Sequence, residues 1–247
     1  MFRRLLFLTT IFFLIFPTYA GKSIVHVIEN NHAERLLSSN SFTSYSSFLY
    51  NKLNDHTLSF EAFKFGLKGY LKLQNEHQLK NSKYLTIIDM SSSSNTERFF
   101  IINMNTQQIE HKSLVAHGRN SGLEYANKFS NIKSSHQTSL GFYKTAETYL
   151  GKHGVSLRLD GLEYSNNKAR ERAIVIHAAD YATENFISKN GRLGRSYGCP
   201  SLPIEGYEKV IEKIKEGSCL FIYFPEKKYL TKSKLANTAD PIVSFNS

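Results

Sequence analysis

The sequence predicts a mainly β domain, sandwich- or barrel-like, with a helical N-terminal segment before it and one helix after a Gly-Cys-Pro loop. Three observations predict it. Short apolar, β-branched runs recur from residue 84 onward, and polar or Gly-containing turns separate many of them. Helical spacing is confined to the chain before residue 81 and to one stretch after residue 203. The composition is that of an ordinary globular chain: 247 residues, 41% hydrophobic and 21% charged, with 14 Tyr and 18 Phe as aromatic core material. A chain of this length buries a core without disulfide or metal staples. Five Pro and 14 Gly exclude a low-complexity or collagen-like chain. Two Cys exclude a disulfide scaffold and a paired CxxC zinc site.

Residues 1–20, MFRRLLFLTTIFFLIFPTYA, have the layout of a signal peptide. Arg3 and Arg4 form a basic start, Leu5 to Phe16 an apolar run, and Pro17 to Ala20 a break with a small-residue cleavage site. The alternative is an uncleaved anchor, but the run is short of the roughly 20 apolar residues a membrane span needs. No Cys follows the cleavage site, which argues against a lipoprotein anchor. The expected product is exported to the periplasm or cell envelope, without stable membrane insertion after cleavage. Without Arg3 and Arg4, 29 of the 31 Lys and Arg remain against 21 Asp and Glu, and the summed field of this product favours anionic envelope polymers as partners rather than nucleic acid.

Residues 21–81 form the expected helical N-terminal segment. Phe42, Tyr45, Phe48, Leu49 and Leu53 suggest one short helix. Phe60, Phe63, Leu67 and Tyr70 suggest a second, with Ser59 as its cap. Residues 82–230 form the β-rich domain. Its expected strands are Tyr84–Met90 and Arg98–Met104, joined by a Ser-rich hairpin loop, then Ile109–His117, Leu140–Thr145, Val155–Leu159, Ala173–His177 and Cys219–Phe224. Between the last two, Ile204, Tyr207, Ile211 and Ile214 share a helical face, with Pro203 near the start and Gly217 past the end. Residues 231–247 form a C-terminal tail, and Lys227, Lys228, Lys232 and Lys234 suit a solvated end.

The chemistry concentrates in Gly191–Pro200, GRLGRSYGCP. Cys199 sits in a Gly-rich, doubly basic loop. A thiolate is the nucleophilic form of Cys, and nearby cations or a His make it easier to form. Arg192 and Arg195 could supply the positive potential. Backbone N–H groups at Tyr197, Gly198 and Cys199 are candidate oxyanion donors, whereas Pro200 has none to offer. His177, at the end of the apolar run Ala173–Ile176, is the best-placed candidate base. Its alternative is a core His bonded to a carbonyl. Cys199 has alternatives too: an inert packed thiol, or a disulfide with Cys219. His117 ends another strand-like run and is a candidate for the cleft or for a turn. A metal site would require His117, His153, Asp160 and His177 to converge through folding alone, since no HExxH is present.

These residues resemble the L,D-transpeptidase (YkuD-like) family, in the branch of murein L,D-transpeptidase catalytic domains. The resemblance rests on HAADYATENFISKNGRLGRSYGCPSL from His177 to Leu202, with LTIIDMS at 85–91, VAHGRNSG at 115–122, KFSN at 128–131, SLGFYKTAETYLGKHG at 139–154 and SLRLDGLEYSNNKARERAIVIHA at 156–178. It implies a Cys nucleophile at Cys199, a His partner at His177 oriented by a backbone carbonyl (Ala178 being the nearest), and action on peptidoglycan stem peptides without metal or organic cofactor. His117, Arg192, Arg195 and Ser196 become candidate substrate contacts. The chain departs from the commoner pattern at Tyr197, where the family has a second His, and at Ser201, where it has Arg or Asn. The expected activity is 3→3 cross-linking through a Cys thioester. The alternatives are L,D-carboxypeptidase or endopeptidase action at the same site, a non-catalytic wall-binding module, and a metallopeptidase.

Overall fold

A computed structural model describes residues 41–241. The expected signal peptide, the first third of the helical segment (residues 21–40) and the last six residues of the tail lie outside the described residues.

Helix α1 covers residues 41–53 and buries Phe42, Leu49 and Leu53, with Ser46 between them. Phe48, expected on that face, is instead 53% exposed. Helix α2 (Phe60–Asn75) begins where the sequence places it: Ser59 is the N-cap and its side chain accepts from the Ala62 N–H. Phe63, Leu67, Tyr70 and Leu73 recur every three or four residues and form its buried stripe. The Ser59 N–H also donates to Asp89 at 3.2 Å, tying the start of the helix to the end of the first strand.

Eight strands form one sheet: β1 (Tyr84–Asp89), β2 (Phe99–Asn103), β3 (Gln108–Ser113), β4 (Gly141–Gly151), β5 (Gly154–Gly161), β6 (Val175–Ala178), β7 (Ser201–Leu202) and β8 (Cys219–Tyr223). Their spatial order is β3-β2-β1-β8-β4-β5-β6-β7. Only β1/β8 and β6/β7 pair in parallel. Strands β1, β2 and β8 are buried at every residue, which explains their near-continuous apolar sequences: both faces are covered. Helix α2 covers one face so closely that it needs two glycines. A Cβ at Gly66 would meet Ile87 and Phe221, and one at Gly69 would lie 2.2 Å from the Phe142 ring.

The ladder of β3 stops at Ser113, four residues before the expected end. The chain then leaves β2 and crosses to the far edge, where Ala116 exchanges backbone hydrogen bonds with Ser201 of β7. This crossing nearly closes the sheet into a barrel. Strand β4 runs six residues past its expected end because its polar outer half is held by pairing with β5, not by burial.

Helix α3 (Glu184–Asn190) was not expected. It buries no residue, so no apolar face announced it; Thr183 caps its start and left-handed Gly191 its end. Helix α4 (Tyr207–Ile214) is the expected helix after the Cys loop, but it starts at Gly206 and buries Val210, Ile211 and Ile214. Ile204 precedes it and is exposed. A short helix α5 (Lys227–Lys232) follows β8. The four lysines there are exposed as expected, yet the segment is docked. Tyr229, Leu235 and Ala236 are buried, and Tyr229 and Ser233 donate to the buried Glu163.

Gly69→Ala should lower the free energy of unfolding by about 1–3 kcal/mol through overpacking against Phe142. Gly66→Ala should cost less, because only the flexible end of Ile87 must move and the helix gains about 1 kcal/mol in propensity. Urea midpoints of the two variants check the contrast.

Candidate active site

Two strand ends and one loop build the site. The buried run Ile174–Ile176 carries His177 to the C-terminal end of β6. The Cys199 loop returns as β7, with His177 opposite Ser201 in the parallel ladder. The crossing segment after β3 stitches the loop from its other side. Ser196 N–H donates to His117 O at 2.9 Å, Arg119 N–H to Ser196 O at 2.7 Å, and Ala116 N–H to Ser201 O at 2.9 Å. The loop is thus clamped between β6 and residues 116–119.

Cys199 is partly buried and free, and Cys219 is free and fully buried in β8 opposite Leu85 and Lys144. The two form no disulfide. The Cys199 S–H donates to Ala173 O at 3.6 Å. Ala173 adopts φ 53, a left-handed conformation that non-Gly residues seldom take, just before β6. Burial pushes the thiol pKa up from its ordinary value, while the Val175 N–H and the Arg172 guanidinium pull it down. Arg172 is held in place by donating to Gln137 O at 2.6 Å and Ser130 O at 2.7 Å.

His177 is buried, and its two ring nitrogens have different partners. Nδ1 lies 2.8 Å from Ala178 O, the carbonyl the family resemblance had pointed to, and Nε2 lies 3.0 Å from Ser201 Oγ. A carbonyl only accepts, so Nδ1 carries the proton and Nε2 is the lone-pair nitrogen. No hydrogen bond joins the ring to Cys199 Sγ among the described residues. His153, from the β4–β5 turn, stacks on the ring at 4.6 Å between centroids. Burial lowers the His177 pKa below the usual 6.5, and the nearby His153 and Lys152 push it the same way.

Cys199 and His177 line one open cleft of about 860 Å³. Arg192 and Arg195 line it, as expected, together with Arg119, Lys152 and Arg172. Among the described residues Asp180 is the single carboxylate on its wall, so the cleft is strongly cationic. Arg195 donates to the carbonyls of Arg119 and Gly122, and Arg192 to that of Leu193. Tyr197 is 65% exposed on the rim, its ring 4.5 Å from that of His136 and 5.7 Å below the Arg119 guanidinium.

Three expected site groups take other roles: His117, Ser196 and the Gly198 N–H. His117 does not face the cleft. It is fully buried, and its Nδ1 accepts from the buried Arg98 at 2.8 Å. Burial and that cation depress its pKa to about 3. Ser196 is also buried. Its hydroxyl donates to Cys199 O at 2.6 Å and accepts from the Gly198 N–H at 3.0 Å, so it braces the loop from within. That bond occupies the Gly198 N–H, expected as an oxyanion donor. The N–H groups of Tyr197 and Cys199 carry no hydrogen bond among the described residues. The supposed metal set does not converge either: Asp160 pairs with Arg170, and no group of three His, Cys, Asp or Glu among the described residues is placed to hold an ion.

Sequence reasoning missed Arg172, Tyr181 and the hydrogen-bonding role of Ser201, and weighed His153 only as a metal ligand, not as a ring stacked on His177. His153 and Arg172 lie in quoted motif segments, but nothing in their spacing aims them at Cys199 or His177.

The family model described as the L,D-transpeptidase catalytic domain matches residues 54–223, well over half of the chain. Among solved structures, the L,D-transpeptidase from Mycobacterium smegmatis aligns at 12% identity with a TM-score of 0.36, over 57% of this chain and 59% of that one. The helical cell shape determining protein Pgp2 from Campylobacter jejuni aligns at 15% identity with a TM-score of 0.37, over 68% of this chain and 59% of that one. Both alignments span less than two thirds of the solved chain. A comparison with curated proteins gives no match.

His117→Ala should cost about 2–4 kcal/mol of stability, from the cavity and from the buried Arg98 donor left unpaired, without changing what the cleft binds. In the intact protein His117 stays neutral while its unfolded counterpart takes up a proton. Stability is therefore complete above pH 6.5 and falls as the pH drops toward 3. Urea midpoints across that window should fall less steeply in His117→Asn.

Proposed function

The chain belongs to the L,D-transpeptidase catalytic domain family, and on that premise we propose that it is an exported cysteine acyltransferase acting on peptidoglycan stem peptides, with Cys199 as nucleophile and His177 as base. One observation carries the assignment of residues. The only partly exposed thiol of the described residues shares a cationic cleft with an imidazole whose unprotonated Nε2 is fixed by a carbonyl on its other nitrogen.

The chemistry follows the usual covalent sequence. Cys199 turns from Ala173 O and gives its proton to His177 Nε2. The thiolate attacks the carbonyl of an L-centre in the donor stem. The N–H groups of Tyr197 and Cys199, which carry no hydrogen bond among the described residues, would receive the oxyanion. The tetrahedral intermediate collapses, the imidazolium returns its proton to the departing amine of the terminal D-amino acid, and a thioester remains. An amine of a second stem then attacks the thioester. The new amide forms, the thiol is regenerated, and the product is a 3→3 cross-link. Arg119, Arg192 and Arg195 suit the carboxylates of stem peptides. Water attacking the same thioester would give a carboxypeptidase or endopeptidase.

Mass spectrometry of muropeptides incubated with the protein tests this. A cross-linked dimer supports transfer, a shortened monomer assigns hydrolysis, and an unmodified substrate with no Cys199 adduct refutes the enzyme. Cys199→Ala should abolish the acyl adduct, and His177→Gln should slow acylation by about 10²–10⁴-fold. Activity needs neutral His177. Because burial lowers that pKa, the acid limb of the rate profile should have its midpoint below pH 6.5. An acid limb centred above 6.5 would contradict the assignment.

A further inference from the structure

The proton-accepting nitrogen of His177 is already occupied. Nδ1 donates to Ala178 O, so Nε2 must accept, and its partner Ser201 Oγ must be the donor. Ser201 has one proton and spends it there. The Tyr181 hydroxyl, 3.0 Å from Ser201 Oγ, must therefore donate to it. Only one arrangement of protons satisfies all three groups: Tyr181 to Ser201 to His177. Burial raises the Tyr181 pKa, which keeps it a donor. Cys199 is excluded from this chain and donates to Ala173 O instead.

The Ser201 hydroxyl is not needed to hold its strand. The backbone of Ser201 is pinned on one side by β6 and on the other by Ala116. Its side chain is fully buried, yet it points at a reacting group.

We propose that Ser201, backed by Tyr181, is a positioning residue that occupies the His177 base in the substrate-free protein, so that Cys199 rests as a neutral thiol and pairs with His177 only when bound substrate lets the sulfur take the place of the hydroxyl. This rests on Cys199 and His177 being the reacting pair. A hydrogen bond donated to Nε2 stabilises the neutral ring and competes with proton transfer from the thiol. The other groups facing His177 are His153 and Lys152 of the β4–β5 turn, with Arg172 behind Cys199 and Asp180 beside Tyr181. None of these bonds Nε2. The consequence is a nucleophile shielded from adventitious electrophiles until a stem peptide fills the cleft.

The test is the pH dependence of Cys199 alkylation by iodoacetamide in the full chain, with the adduct located by mass spectrometry and buried Cys219 as internal control. Ser201→Ala should lower the apparent pKa of alkylation by a unit or more, which is about a tenfold faster reaction at neutral pH. Tyr181→Phe should move it the same way by less. Ser201→Thr, which keeps the hydroxyl, should retain the parent profile. The Ser201→Ala effect should vanish in the double variant with His177→Gln. An unchanged profile in Ser201→Ala, an equal shift in Ser201→Thr, or a shift that survives His177→Gln overturns the proposal. Alkylation needs no stem peptide, so these outcomes are separate from those that decide transfer or hydrolysis.

Discussion

The guanidinium of Arg98 holds together the part of the molecule where the chemistry sits. It is fully buried and, among the described residues, has no carboxylate in contact. Its protons go to Val115 O twice, to Ser92 O, and to His117 Nδ1. Burial lowers its pKa to about 9. Removing such a cation from water costs several kcal/mol unless its donors are satisfied, and Val115 O and His117 Nδ1 of the crossing segment, with Ser92 O, satisfy them. That requirement dictates where residues 115–117 run. Those residues then supply the hydrogen bonds that fix Ser196 and Ser201 on either side of Cys199. The order of causes runs from a buried charge, through the path of a strandless segment, to the placement of a thiol.

Much of this was legible in the sequence, and the limits have physical causes. Strands β1, β2 and β8 could be read because they are covered on both faces and so carry unbroken apolar runs. Helix α2 could be read because its cap and its stripe agree. The outer half of β4 and helix α3 could not, since ladder bonds and caps hold them and neither buries an apolar face. Cys199 and His177 stood out through the Gly-rich loop and the strand end. His117 has the same local signature as His177, a histidine closing an apolar run. What separates them is what lies against the ring: Arg98 in one case, the cleft in the other. Ser201 and His153 meet the imidazole, and Tyr181 meets Ser201, only through strand pairing and a turn from another hairpin, which spacing along the chain does not encode.

The site balances opposing influences on one sulfur. Burial and the Ala173 carbonyl favour the thiol; Arg172 and the Val175 N–H favour the thiolate. The cationic wall around them favours any anionic ligand that enters. The balance leaves a thiol whose ionisation depends on small rearrangements, which is what the proposed role of Cys199 requires.

The parallel pairing of β1 with β8 has a further consequence. The two strands at the middle of the sheet come from opposite ends of the domain, Leu85 lying beside Cys219 and Asp89 beside Tyr223. Neither strand can acquire this neighbour until both ends of the domain are present. Pairing between strands so far apart in sequence raises the contact order, and high contact order slows folding. The loop-closure entropy of joining the first strand to the last is met before the centre of the barrel can form.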